Sequence, residues 1–261
     1  MKFHRIIAII LRFLFHFRHS LDKILDNFYW PAVDLVLWGL TGFYFTSLAP
    51  NASIVHVAIV SAIIFWFIIY RGQYEISGNV LEDIWNKNLV NIFVSPLTFS
   101  EWVTAFLLLG VVKAILSFSF GSLLAFLLYR VNIFSFGFLL LPFLLLLIMN
   151  GWWIGFFVSG LILRYTTRVQ AFAWTLVWAI SPFAALYYPV SILPDWAQVV
   201  ARFVPASHIF EGVREVVSTG RLDPMKLLWS FLLNCLYLVL ALLFLRQSFR
   251  AILRKGLVKL H

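Results

Sequence analysis

Residues 134–163, FSFGFLLLPFLLLLIMNGWWIGFFVSGLIL, decide the fold, because the run contains no Asp, Glu, Lys or Arg. A helix rises 1.5 Å per residue, so about 20 such residues cross a hydrocarbon core of roughly 30 Å. Five more apolar stretches flank this one, over about 30–49, 54–70, 102–129, 169–187 and 225–245. A hydrophobic content of 62% and a mean hydropathy of +0.94 agree, since a soluble domain of 261 residues would expose far too much of this surface. The reading is an all-α polytopic membrane protein with six transmembrane helices.

Basic residues fall on alternate sides of that arrangement. One side holds Lys2, Arg5, Arg12, Arg18, Lys23, Arg71, Lys87, Arg164, Arg168, Arg246, Arg250, Arg254, Lys255 and Lys259. The other carries Arg130, Arg202, Arg214, Arg221 and Lys226, and Lys113 lies mid-helix. The positive-inside rule then places both termini in the cytoplasm. The net charge of +9 reads as topology and attraction to anionic lipid, with no separate basic domain for nucleic acid. Cys235 is the single cysteine, which excludes disulfides and cysteine metal clusters. The histidines (His4, His16, His19, His56, His208, His261) are scattered without carboxylate partners at ligand spacing.

Residues 1–29 are periodic: Phe3, Ile6, Ile10, Phe13, Phe17, Leu21, Ile24 and Phe28 recur at three- and four-residue steps, opposite a largely cationic face. That pattern predicts an amphipathic helix lying in the membrane interface, where a signal peptide would show a continuous apolar core. The alternative is a helix packed on its own protein. In the connection 71–101, Asn79 and Glu82 predict the capped start of a short helix over about 79–94, ended by Pro96, and Thr98 with Glu101 predict a capping box for the third span. Such a helix suits docking to a soluble partner or lying in the interface. Between the fifth and sixth spans, over about 189–220, prolines at 189, 194 and 205 and Gly220 delimit two short apolar helices, one capped by Asp195 and one by Ser207. Neither can span a bilayer, so they predict an outer re-entrant hairpin, with Glu211 and Arg214 placed to bound an exit path as an extracellular gate. Within the spans, Asp34 and Lys113 are costly charges. Trp152, Trp153, Phe156 and Phe157 either pack as core or line a passage. Gly110, Ser117, Ser119, Gly121 and Ser122 offer a stripe for close helix contact, and Pro142 with Asn150–Gly151 predicts a kinked or loosened fourth helix.

The order of these parts resembles the permease subunits of type-two ABC exporters. Leu81–Trp102 (LEDIWNKNLVNIFVSPLTFSEW) is similar to that family's short helix and its "sPl…e" turn, and Pro205–His208 through Glu211 and Arg214 is similar to its "nPlty…e..R" element. The resemblance covers almost the whole chain. It implies a half-transporter of the bacterial inner membrane: a homodimer with an interface along the first and fifth helices. It also implies a separate cytoplasmic ABC ATPase that carries the ATP and Mg, docked near 79–94 with Glu82, Asp83, Trp85 and Lys87 at the contact. No GxxxxGK[ST] run is present, so the chain itself is expected to be neither an enzyme nor to hold a cofactor. Lys113, Trp152, Trp153 and Phe156 are the candidates for lining a path for an amphipathic, lipid-linked or glycan cargo, with core packing the favoured role of the three aromatics. The alternatives are an ion-coupled secondary transporter using Asp34 and Lys113, or a membrane-embedded lipid-modifying enzyme.

Overall fold

The computed structural model describes residues 1–48 and 52–255. Among these, every regular element is helical: α1 (Phe3–His19), α2 (Leu21–Leu48), α3 (Ala52–Trp85), α4 (Leu89–Val94), α5 (Phe99–Tyr129), α6 (Leu140–Tyr165), α7 (Phe172–Ile180), α8 (Asp195–Arg202), α9 (Pro205–Thr219) and α10 (Pro224–Lys255). Ala49, Lys259 and His261 lie outside the described residues. Four helical segments are long and apolar enough to cross a membrane: Ile54–Trp85, Phe99–Tyr129, Ile133–Tyr165 and Pro224–Ile252. The chain is therefore an integral membrane protein in character.

α3 is the axis of the bundle, packed by α2, α5 and α6, while α10 lies along α6 and α9. Small residues set the closest approach. A Cβ on Gly151 would stand 2.6 Å from the Ile69 carbonyl oxygen, and one on Gly155 would stand 2.9 Å from that of Gln73. Glycines four apart thus let α6 press its backbone on α3. α6 runs unbroken from Leu140 to Tyr165, through Asn150–Gly151. Gly110 of α5 joins the same contact, its Cβ position 3.6 Å from the Gly72 carbonyl.

The structure redraws four boundaries. The amphipathic segment ends at Ser20, whose extended backbone separates α1 from α2, so residues 21–29 belong to the helix that continues through Pro31. The stretch 169–187 is not one helix: α7 has nine residues and gives way to a 3-10 turn at Ser181–Phe183. Asn79 caps nothing. α3 runs on to Trp85, because the Asn79 amide donates back to the Glu75 carbonyl one turn earlier (2.5 Å) and leaves the apolar run unbroken. The separate helix of the 79–94 connection shrinks to α4. α3 stops instead at Lys87, in the left-handed region at φ 54°. There the Lys87 N–H donates to the Ile84 carbonyl (3.0 Å) and the Asn88 N–H to that of Asp83 (2.8 Å), a Schellman closure. Finally, α9 begins at Pro205, and the Ser207 hydroxyl inside it donates to the Ala201 and Val204 carbonyls. The Thr98–Glu101 capping box is present as expected, and Gly220 ends α9 at φ 70°.

Candidate functional site

Charged side chains gather at the end of the bundle where the chain's first residues and the last turns of α10 meet the start of α5. The Lys2 N–H donates to Glu101 (2.6 Å), and Phe249 packs on Phe99 with ring centroids 5.3 Å apart. Here α1 is bound by its cationic face. Arg5 pairs with Glu101 at 3.5 Å, Arg12 with Asp83, and His16 with Glu82 at 2.7 Å. Lys23 reaches Glu82 from α2. Ile6 and Phe13 are buried against the protein, while Phe3, Ile7, Leu11 and Phe15 form an exposed stripe at four-residue spacing. The helix thus packs on its own protein along one face and offers a second apolar face outward. This spacing was legible as amphipathic, but the two apolar stripes merge into one on a simple periodicity count.

Behind these pairs lies a cavity of about 510 Å³ between α1, α2, α3 and α5. Its floor is Lys113, whose ammonium donates to Glu75 at 3.0 Å and stands 4.3 Å over the Phe17 ring. Both partners are buried, Lys113 at 4% and Glu75 at 4% exposure. Asn79 donates to the Glu75 carboxylate at 3.3 Å. Arg71 donates to Asp26 at 2.6 Å from just outside the cavity wall. A buried ion pair persists only when desolvation is offset by such mutual contacts. Lys113 was expected to find a polar cavity or a carboxylate and has both. The partner, Glu75, is 38 residues away, a distance that sequence spacing cannot bridge. Asp34 stands apart from this cluster, half-buried on α2, with no ion pair among the described residues.

The four residues expected at an ATPase contact divide by exposure. Asp83 is buried, and Glu82 is turned toward His16 and Lys23. Trp85 and Lys87 are exposed at the tip of α3, where the Trp85 indole N–H donates to Gln170 at 3.3 Å. At the opposite end, Glu211 and Arg214 hold a turn. The Val190 N–H donates to Glu211 at 2.8 Å. Arg214 donates to Glu211 at 3.3 Å, to the Tyr188 carbonyl at 2.9 Å and to that of Ala185. Ala185 sits at φ 58°, so the guanidinium fixes a turn whose backbone an L-residue adopts at a cost. Phe156 is fully buried. Trp152 and Trp153 are half-buried, and Trp153 lines an apolar groove of about 350 Å³ with Phe157, Tyr237, Leu240 and Phe244. The path candidates on α6 are thus not brought to Lys113: they line no part of the polar cavity.

Comparison with protein-family models and with curated proteins finds no match.

Proposed function

We propose that this chain is the permease subunit of an ATP-driven ABC exporter. On this reading it forms a homodimeric path for an amphipathic, lipid-linked or glycan cargo in a bacterial inner membrane, with both termini in the cytoplasm. The resemblance of Leu81–Trp102 to type-two exporter permeases motivates the assignment. The observation that carries it is the tip of α3. A continuous helix ends in exposed Trp85 and Lys87 and leads through α4 into the capped start of α5. It is braced by the α1 contacts Arg12–Asp83, His16–Glu82 and Arg5–Glu101. A push on Trp85, Lys87 and α4 would be passed to two bilayer-length helices. Under this proposal Glu82 and Asp83 brace the coupling element, and the contact belongs to its exposed residues.

In the same reading α2 and the α7 segment complete six crossings, α8 and α9 form the outer re-entrant hairpin, and Glu211 with Arg214 stabilises the turn that gates the exit. The second copy would lie along the exposed face of α2, at Val36, Leu37, Leu40 and Tyr44. Affinity purification from native membranes should retain a P-loop ATPase, and Trp85→Ala with Lys87→Glu should release it while leaving the chain folded. Purification with no nucleotide-hydrolysing partner, and transport that continues without ATP, would reject the assignment. The buried Lys113–Glu75 pair favours a second reading, ion-coupled transport, with Glu75 in the place expected of Asp34. Transport abolished by a protonophore but not by ATP depletion would select it.

A further inference from the structure

α3 is closed on nearly every side. From Ile59 to Ile84 the positions that are not buried are Tyr70, Tyr74, Gly78 and Glu82, one stripe at four-residue steps. Tyr74, Gly78 and Glu82, with Trp85 beyond them, form a wall of the cavity between α1, α2, α3 and α5. A glycine inside a helix is costly, and here it makes room: a Cβ on Gly78 would stand 3.1 Å from the Tyr74 ring. The ring is thus laid down over Gly78. Tyr70 stacks parallel to it, with centroids 5.8 Å apart at 4°, and meets Trp178 of α7 at 6.0 Å. Neither tyrosine hydroxyl has a hydrogen-bond partner among the described residues. The charges of the cavity, by contrast, are nearly all spent. Asp26 is paired with Arg71, Glu75 with Lys113, and Glu82 with Lys23 and His16, so of the lining carboxylates only the exposed Asp22 has no ion pair among the described residues. What remains open is neutral. The Tyr74 and Ser20 hydroxyls and the Asn86 amide line the cavity with no side-chain hydrogen bond among the described residues.

We infer that this cavity binds a neutral sugar chain, its rings stacked on Tyr74 and its hydroxyls bonded to the neutral side chains around that ring. A sugar hydroxyl both donates and accepts, as do the open groups, whereas an ammonium only donates and a carboxylate only accepts. The C–H face of a sugar ring is apolar and packs on an aromatic face without displacing an ion pair. An ion of either sign would have to compete with pairs already made. A wholly apolar ligand would bury the Tyr74 hydroxyl and the Asn86 amide unpaired. The volume, about 510 Å³, lies in the usual range for small-molecule sites. The inference deepens the exporter reading by narrowing the cargo to a glycan, and it rests on that reading only in calling the sugar a cargo.

The test is a saturation-transfer NMR titration of the full chain in lipid nanodiscs at pH 7, against empty nanodiscs. The probes are maltotriose, cellotriose and chitotriose, which are neutral, and trigalacturonate, which is anionic. At least one neutral trisaccharide should bind saturably at one site per chain, and trigalacturonate at least about tenfold more weakly. Tyr74→Phe keeps the ring and removes the hydroxyl, and should weaken binding about threefold. Tyr74→Leu removes both and should weaken it at least about tenfold. No saturable binding by any neutral probe overturns the inference. So does parent-like affinity in either Tyr74 variant, or equal affinity for trigalacturonate. Sugar binding by a chain that retains no P-loop ATPase would reject the exporter reading and leave the site standing, while an ATPase retained without sugar binding would do the reverse.

Discussion

α3 and α10 look alike in sequence, yet 72% of the apolar window of α3 is buried inside the protein and only 17% of that of α10. Apolar length reports that a helix is out of water and is silent on whether its neighbour is protein or lipid. The polar residues carry that information. α3 buries Ser61, Arg71, Gln73, Glu75, Ser77, Asn79 and Asp83, and Arg71, Gln73, Glu75, Ser77 and Asp83 each bond to another helix. α10 buries Ser230, Asn234, Ala241, Leu245 and Ser248, a single stripe at three-, four- and seven-residue steps, and exposes Leu232, Leu236, Val239 and Leu243. A span with polar residues on all sides is a core helix, and one with a single stripe is a peripheral helix.

If α3 is the axis, its ion pair should dominate stability. Lys113→Ala leaves the Glu75 carboxylate buried without its counter-ion, and the loss should be about 3–5 kcal/mol in detergent unfolding. The double variant Lys113→Met with Glu75→Gln should recover most of it, because a neutral pair of similar volume carries no uncompensated charge. A single variant no worse than the double would break the contrast, since the pair would then be as solvated as a surface one.

The α3–α6 seam comes next. Gly151→Val places a methyl-bearing Cβ where 2.6 Å separates it from the Ile69 carbonyl, and such overpacking should cost about 1–3 kcal/mol. Leu236→Ala and Leu243→Ala on the exposed side of α10 should each fall within about 0.5 kcal/mol of the parent. A large loss at Leu236 would show that α10 is covered by protein in the membrane.

Much of the architecture is readable from residue order, and the failures share a cause. Long apolar runs located α3, α5, α6 and α10, and local chemistry located the Thr98–Glu101 cap and the Gly220 stop, because each depends on neighbours within one turn. Asn79–Glu82 has the same local signature as Thr98–Glu101 and yet lies mid-helix, since an asparagine amide satisfied by a carbonyl four residues back needs no helix end. The cavity was hidden for a different reason. The pairs in and beside it join residues 71 apart (Arg12–Asp83), 59 apart (Lys23–Glu82) and 38 apart (Lys113–Glu75). Composition shows these charges one at a time, and only the packing of α1 and α5 against α3 assembles them. Glu211 and Arg214 illustrate the converse: their i,i+3 contact was visible in the sequence, but the backbone turn that they hold was not.

The end of α3 offers a gain instead of a loss. Lys87 occupies the left-handed position of the Schellman closure at φ 54°, where a Cβ is penalised and glycine is not. Lys87→Gly should therefore stabilise the protein by about 1 kcal/mol, less whatever freedom glycine adds to the unfolded chain. The side chain is exposed, so no packing contact offsets the gain. A destabilised Lys87→Gly would mean that the lysine itself is held by something at the tip of α3.

The smallest expected effect concerns how α10 is tied at its start. Glu215 of α9 accepts from the Lys226 ammonium at 2.9 Å and from the Asp223 N–H at 3.2 Å. These bonds, the Lys226 contact first, hold its carboxyl below the ordinary value of 4.5. A lowered folded-state pKa means that the unfolded chain binds the proton more readily. The stabilisation is therefore complete above the unfolded value and is lost as pH falls below about 4.5 and through the folded one. Glu215→Gln removes that titration. Thermal unfolding of the parent and of Glu215→Gln should differ slightly at pH 7, and the difference should shrink as pH falls below about 4.5. The Lys113 pair of α3 is buried and the Glu215 pair is partly exposed, so the acid-induced change at Glu215 should also shrink in 1 M salt, where the Debye length is about 3 Å. A difference between parent and Glu215→Gln that does not shrink with falling pH or in high salt would mean that α10 is anchored at its start by something other than this ion pair.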